Sequence, residues 1–156
     1  MAKVTVTQIV KAPLEDVWAS WDDFGNIANF NPGVKSSYLL KGSTETGIGS
    51  KRQCNMSDGK NHIREKIVEY VPQQKMVINI YEGTMPLDSA IATLMFTQAA
   101  DGKTRVVMTM AFTPKFGLIG ALMVPMMKSQ FRKMLQGLVN SNASYVENSL
   151  TSVEAA

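Results

Sequence analysis

The stretch that decides the fold is residues 124–145, VPMMKSQFRKMLQGLVNSNASY. At helical spacing its large apolar residues fall within one sector of about 100°, and its basic residues fall outside that sector. The pattern predicts a long amphipathic helix that ends near Leu150, preceded by a short helical entry over 118–124. Because proline lacks an N–H and clashes with the preceding turn, we expect a kink or break at Pro125. The apolar sector comprises Val124, Met127, Phe131, Met134, Leu135, Leu138 and Tyr145.

Upstream of this helix, alternating polarity and turn residues predict strands. A first strand over 3–10 precedes two short helices, one that begins at Pro13 and one over 23–30. Six strands follow, separated by short polar turns such as Asp58-Gly59, and short turns favour antiparallel neighbours. Their predicted ranges are 34–41, 48–56, 61–70, 75–82, 89–98 and 103–113.

This order of elements predicts an α+β fold, in a single domain over 1–156. A curved, seven-stranded antiparallel sheet would wrap around the long C-terminal helix. One helix cannot cover seven strands of a flat sheet, whereas a strongly curved sheet grips the helix and leaves space beside it. We therefore expect an apolar ligand cavity between sheet and helix.

Composition narrows the class of protein. The chain has 156 residues, of which 45% are hydrophobic and 19% charged, as in ordinary globular proteins. The lone Cys54 cannot form an internal disulfide, and the N-terminus alternates polar and apolar residues instead of resembling a signal peptide. The longest apolar run, Phe116–Met127, is too short to span a bilayer. These features predict a soluble, cytoplasmic protein.

Charge and motifs argue against several functions. The 16 basic and 13 acidic residues give a net charge of +3, and the basic residues are scattered, so we do not expect nucleic-acid binding. No phosphate-binding glycine loop is present, and we expect no cofactor. His62 is the only histidine and follows the Asp58-Gly59 turn, where a surface position is expected. One Cys and one His make no metal-ligand set, so no metal site is predicted.

Short motifs occur along nearly the whole chain, and they are Ala12-Pro13 with Val17-Trp18, Asp23-Phe24-Gly25-Asn26, Asn31-Pro32-Gly33-Val34, Gly47-Ile48-Gly49-Ser50-Lys51-Arg52, Asp58-Gly59 with Glu65-Lys66-Ile67, and Met85-Pro86-Leu87. Together they resemble the motifs of a known family, in the same order. The chain is similar to the START-like helix-grip (SRPBCC) superfamily, and within it to the polyketide cyclase/dehydrase and lipid transport family. It departs from that family at Phe30-Asn31, where Trp-His is common, and at Glu65-Lys66, where Glu-Arg is common. The resemblance implies the fold and an apolar pocket, but no particular reaction, because members include carriers, sensors and enzymes.

Polar residues on three predicted strands are candidates for the cavity wall. Strand alternation puts Arg52 and Cys54 on one face and Glu65 on the matching face of the next strand. If Arg52 and Glu65 point inward, they would form a buried ion pair in the cavity wall. Such a pair would anchor a polar group of a ligand or act as an acid or base. In the alternative, both side chains reach the rim of the cavity and are solvated. The same alternation makes Asn79 and Tyr81 candidates for orienting a ligand carbonyl or hydroxyl.

Apolar residues of the last strands and of the helix should line the rest of the cavity. Eight of the eleven methionines lie between Met85 and Met134. Flexible thioether side chains fill irregular gaps and re-pack around variable apolar partners, although a plastic core would use them in the same way. The predicted lining is Leu94, Phe96, Met108, Met110, Phe112, Met127, Phe131 and Met134.

Three functions remain open. The first is a carrier or binding protein for a small hydrophobic molecule such as a lipid or polyketide. The second is a cyclase or dehydratase that would use Arg52, Glu65 and Tyr81, since such chemistry needs a positioned acid or base. The third is an interaction module in which Phe116–Met127 forms a lid or a transient membrane contact, with Gly117 and Gly120 as hinges. The sequence is compatible with a monomer or a homodimer.

Overall fold

The computed structural model describes the backbone of residues 1–43 and 45–155. Its helices are α1 (Leu14–Asp22) and α2 (Gly117–Ala155), with short 3-10 helices at Phe24–Asn29 and Ala100–Gly102. Its strands are β1 (Ala2–Val10), β2 (Val34–Leu39), β3 (Lys51–Met56), β4 (His62–Val71), β5 (Lys75–Gly83), β6 (Leu87–Gln98) and β7 (Thr104–Pro114). The predicted order is confirmed. β3 begins three residues later than predicted, because Gly49 turns the chain with a φ of +90°.

In the described part of the chain, the seven strands form one sheet in the order β1-β7-β6-β5-β4-β3-β2. Each neighbouring pair is antiparallel, as the short turns predict. Register places Met56, Gly83, Leu87 and Pro114 at one end of the sheet, which we call the α2 end because α2 begins directly after it.

Helix α2 packs against β1, β7 and α1. Its buried residues recur three or four positions apart, which gives one continuous face toward the sheet. Met134 and Tyr145, which the sequence places in the apolar sector, lie at the margin of this face and are each 39% exposed. The buried face comprises Met127, Phe131, Leu135, Leu138, Val139, Asn142, Ala143 and Val146.

The predicted break at Pro125 is wrong, because α2 runs unbroken from Gly117 to Ala155. Proline removes one backbone hydrogen bond and crowds the preceding turn. Pro125 is exposed, so its ring needs no room in the core, and the nearest buried residues of α2 are Gly120 before it and Met127 after it. Despite the length of α2, none of the described helices carries a stretch long and apolar enough to cross a membrane.

Candidate functional site

An internal cavity lies between α2 and the inner face of the sheet, as the curved sheet predicts. The space in which the centre of a water molecule can lie has a volume of about 80 Å³. At about 10–15 Å³ per water on that measure, the cavity holds several waters or one small ligand. The lining is predominantly apolar and comprises Trp21, Ile27, Asn31, Gly33, Val34, Arg52, Cys54, Met56, Ile63, Glu65, Ile78, Ile80, Ala92, Leu94, Met108, Met110, Met134, Leu135 and Leu138.

The cavity opens toward the α2 end of the sheet. Several residues that line it there are partly exposed, including Asn31 and Gly33 before β2, Met56 at the end of β3, and Ile63 near the start of β4. Met134 of α2 also lines the cavity and is 39% exposed. In contrast, Leu94 and Leu135 are fully buried at its base, with 0% and 1% of their surface exposed.

A buried ion pair forms the polar wall of the cavity. Arg52 and Glu65 are directly opposite each other on β3 and β4, and Arg52 Nε donates to Glu65 Oε2 at 2.6 Å. Their side chains are only 4% and 8% exposed, so the predicted inward orientation is confirmed. Arg52 Nη1 also donates to the backbone carbonyl of Phe24 at 2.9 Å, and the guanidinium lies 3.9 Å from the Phe24 ring centre. These contacts compensate a charge that would be costly to bury alone.

Three polar atoms in this wall are left for a ligand. Within the described residues, Arg52 Nη2 and Glu65 Oε1 form no hydrogen bond with the protein. The indole Nε1 of Trp21 is buried and likewise has no partner among those residues. Buried donors almost always find a partner, so an unpaired one beside a cavity points to a group that enters the cavity. The wall therefore offers two donors and one acceptor.

Cys54 lies beside the ion pair, with its Sγ 3.4 Å from Glu65 Oε2. Burial first, and the negative charge of Glu65 second, raise the pKa of the Cys54 thiol to about 12. Only the thiolate is a good nucleophile, so a thiol with this pKa is unreactive at neutral pH and acts as a weak donor to the carboxylate. Cys54 therefore belongs to the cavity wall as a packing residue.

This environment predicts the reactivity of Cys54. At pH 8, about four pH units below a pKa of about 12, roughly one thiol in ten thousand is ionised. We expect iodoacetamide to modify the native protein at least about a hundredfold more slowly than the urea-unfolded protein, because unfolding restores the ordinary pKa and access. Mass spectrometry of quenched samples measures both rates. Equal rates in the two states would show that the thiol is not buried as described.

The predicted placement of Asn79 and Tyr81 at the cavity is wrong. On β5 the residues that face inward are Met76, Ile78 and Ile80, and Tyr81 is 40% exposed on the other face, with Lys51 Nζ 5.6 Å from its ring centre. The register between β4 and β5 also shifts at this point, which leaves Tyr81 without a partner in β4. The sequence held the correct signal, because Met76, Ile78 and Ile80 are the more apolar alternating set.

Four predicted lining residues are buried but pack away from the cavity. Phe96 lies edge-on to Trp18 with ring centres 5.1 Å apart, and Phe112 packs on Phe131 at 4.7 Å. Met127 is also buried outside the lining. The rings of Phe96, Phe112 and Phe131 contact other aromatic rings instead of bordering the cavity. Leu94, Met108, Met110 and Met134 do line the cavity.

Several lining residues were not predicted from the sequence. Leu135 and Leu138 belong to the apolar sector of the helix and their spacing would have identified them. Trp21 and Ala92 had no distinguishing signal, since a buried tryptophan and a buried alanine occur in any core. His62 lies at the first position of β4, outside the cavity lining, as expected of a residue next to a hairpin turn.

Comparisons with known proteins agree with this architecture. A family model described as "Polyketide cyclase / dehydrase and lipid transport" matches residues 1–147. No curated protein matches the sequence of the chain.

Solved structures of the same fold are known at low sequence identity. The protein TTHA0849 of Thermus thermophilus is 18% identical, with a TM-score of 0.78 over 95% of this chain and 99% of that one. A START superfamily protein of Mycobacterium smegmatis is 16% identical, with a TM-score of 0.78 over 94% and 97% of the two chains. A solution structure from Thermobifida fusca is 22% identical, with a TM-score of 0.72 over 95% of each. At these identities the likeness concerns the fold.

Proposed function

Because the chain belongs to the polyketide cyclase/dehydrase and lipid transport family, we propose that it binds a small hydrophobic molecule carrying one polar group in the cavity between the sheet and α2. The observation that carries the proposal is the mixed lining: an apolar enclosure that also includes the buried Arg52–Glu65 pair and Trp21, whose indole N–H has no partner among the described residues. Ligand sites typically combine a large apolar surface with a few placed polar groups that fix orientation.

The size of the cavity constrains the ligand. With about 80 Å³ of free space, it suits a compact ring or a short chain, and a longer lipid requires side chains to move. The side chains best able to move are the methionines of the lining, Met56, Met108, Met110 and Met134. Their unbranched thioethers change rotamer at low cost, which would let the cavity enlarge around its ligand.

The Trp21 indole gives a direct test with two matched probes, naphthalene and naphthol, which differ by one hydroxyl. Replacing Trp21 with phenylalanine removes the unpaired N–H and keeps an aromatic ring. We expect Trp21→Phe to weaken naphthol binding about 3- to 10-fold, the worth of one hydrogen bond, and to leave naphthalene affinity within about twofold of wild type. Isothermal titration calorimetry measures both affinities.

Trp18→Phe is the matched control, because Trp18 is an equally buried tryptophan outside the cavity lining. It should leave the affinities for both probes unchanged. The proposal fails if neither naphthalene nor naphthol binds the wild-type protein. A loss of both affinities in Trp21→Phe alone would contradict only the role of the indole donor.

A cyclase or dehydratase is the second candidate, and the buried Arg52–Glu65 pair favours it. A carboxylate beside a guanidinium suits removal of a proton next to a ligand carbonyl, with Arg52 stabilising the enolate oxygen. Tyr81 has no role in such an enzyme, because it lies on the outer face of the sheet. In an enzyme, Glu65→Gln should abolish turnover and retain ligand binding. A carrier would show no turnover to lose.

A further inference from the structure

The first turns of α2 carry a cluster of exposed apolar side chains at the α2 end of the sheet. Phe116 is 71% exposed, Leu118 87%, Ile119 70% and Leu122 83%. Met123 and Met126 continue the cluster at 42% and 51% exposure. We call these six residues the apolar face. Single exposed apolar residues are common, but a contiguous cluster on one helix normally marks a contact surface.

The backbone holds this face outward in a defined arrangement. Phe116 adopts a φ of +72° and Gly117 a φ of +52°, which turns the chain sharply into the helix. A phenylalanine rarely adopts such a conformation, because its side chain crowds the backbone. One turn later Gly120 is buried so closely that a Cβ there would lie 2.0 Å from the carbonyl oxygen of Lys115. The start of α2 is thus packed on one side and presents its apolar residues on the other.

The segment that carries the apolar face has only basic charges, although Asp88 of the sheet lines a depression beside the start of α2. Between Asp101 and Glu147 the sequence contains six basic residues and not one acidic residue. Four of these six follow β7, in or directly before α2, and all four are exposed: Lys115, Lys128, Arg132 and Lys133. An apolar helix face flanked by lysine and arginine is the pattern of segments that lie on anionic lipid surfaces.

The apolar face also lies near a surface depression that shares lining residues with the cavity. This depression, at the α2 end, shares Ile63 and Ile80 with the cavity lining and extends to Lys115, the residue before Phe116. Leu87 contributes to its floor, and the acidic residues Glu82 and Asp88 border it from the sheet. Any surface that covers the apolar face would therefore lie close to this depression and to the two residues that it shares with the cavity.

We propose that the apolar face docks on an anionic phospholipid bilayer, with its basic neighbours against the lipid phosphates. We also propose that the protein takes up its ligand from that bilayer through the depression, and this part rests on the proposed function. The docking itself is independent of the proposed function. The charge also argues against a second copy of the chain as the occupant. A two-fold contact through this face would bring the lysines of both copies together without acidic partners from the same segment.

Vesicle flotation of the full chain tests the docking. We expect binding to vesicles of phosphatidylcholine with about one third phosphatidylglycerol at 50 mM salt, and much weaker binding to phosphatidylcholine alone. The variant Leu118→Asn/Leu122→Asn should lower the partition coefficient at least about tenfold, because two side chains lose their burial in the acyl region. The variant Lys128→Gln/Lys133→Gln should lower binding to anionic vesicles about tenfold and leave binding to neutral vesicles unchanged.

Ile48→Asn is the matched control, since Ile48 is 73% exposed in the turn before β3, away from the α2 end. It should bind vesicles like wild type. The inference is overturned if wild type does not float with anionic vesicles, or if Ile48→Asn loses binding equally. It is also overturned if sedimentation equilibrium shows a dimer that Leu118→Asn/Leu122→Asn disperses. Naphthalene affinity, measured on every variant, reports on folding and on the cavity, so a failure of docking is separable from a failure of the proposed function.

Discussion

Replacing Arg52 with methionine should lower the free energy of unfolding by about 3–5 kcal/mol. The substitution keeps the volume of the side chain near that of the original but leaves the Glu65 carboxylate buried without its charged partner, and leaves the Phe24 carbonyl without its donor. Urea unfolding followed by circular dichroism measures the change. This is among the largest effects expected of any single polar substitution in the chain.

A double variant separates the cost of burying an unpaired charge from the net stabilisation that the ion pair contributes. Arg52→Met/Glu65→Gln removes both charges, so it should recover all but about 1–2 kcal/mol of the loss. Arg64→Gln is the control, because Arg64 and Glu82 form an exposed pair with side chains 38% and 51% accessible. That variant should cost less than about 1 kcal/mol. A double variant less stable than Arg52→Met would contradict the buried-pair interpretation.

Replacing Ala92 with phenylalanine should abolish the binding of apolar probes. Ala92 is 5% exposed on the inner face of β6 and lines the cavity, so an added ring would occupy the space that a ligand needs. We expect naphthalene affinity to fall at least about a hundredfold. Overpacking a core typically lowers the free energy of unfolding by about 1–3 kcal/mol. We expect no larger loss here, because part of the new ring fills space that is already empty.

Thr93→Phe on the same strand is the control, because alternation turns Thr93 to the outer face of the sheet. It should retain naphthalene affinity within about twofold of wild type. Calorimetry and urea unfolding on both variants separate the loss of space from the loss of structure. If Ala92→Phe binds naphthalene as tightly as wild type, the probe lies somewhere other than the cavity described here.

The architecture could be predicted because several independent signals agreed. Alternation in β3 placed Arg52 and Cys54 on one face, hairpin residues such as Asp58-Gly59 set the antiparallel order, and helical spacing identified the buried side of α2. Each signal reflects a period that burial imposes on the chain. Their consistency over the whole length predicted the helix-grip fold even though each motif was short.

The details of the site depended on contacts that lie far apart in sequence. Phe96 and Leu94 are both buried on β6, yet only Leu94 borders free space, because Trp18 from α1 meets Phe96. A cavity exists where side chains fail to meet, and no local pattern records that. On β5 the alternation holds, and Asn79 and Tyr81 lie on the outer face because the more apolar set of Met76, Ile78 and Ile80 faces the core.

The start of α2 shows a further limit of sequence patterns. Residues 116–127 are apolar on all sides of the helix, so spacing could not tell which of them would be buried. The structure resolves this by covering Gly120 and Met127 and exposing Leu118 and Leu122. The sequence predicted that this apolar run forms a lid or a membrane contact. In the structure, one side of the run is packed against the protein and the other side is exposed.

The cavity itself is tested most directly by a crystal structure determined under xenon pressure. Xenon enters dry, apolar cavities and scatters X-rays strongly, so it marks accessible hydrophobic space without requiring the natural ligand. We predict a xenon site enclosed by Leu94, Met110 and Leu138, within reach of Trp21. A crystal in which these side chains meet and no xenon binds between the sheet and α2 would contradict the account.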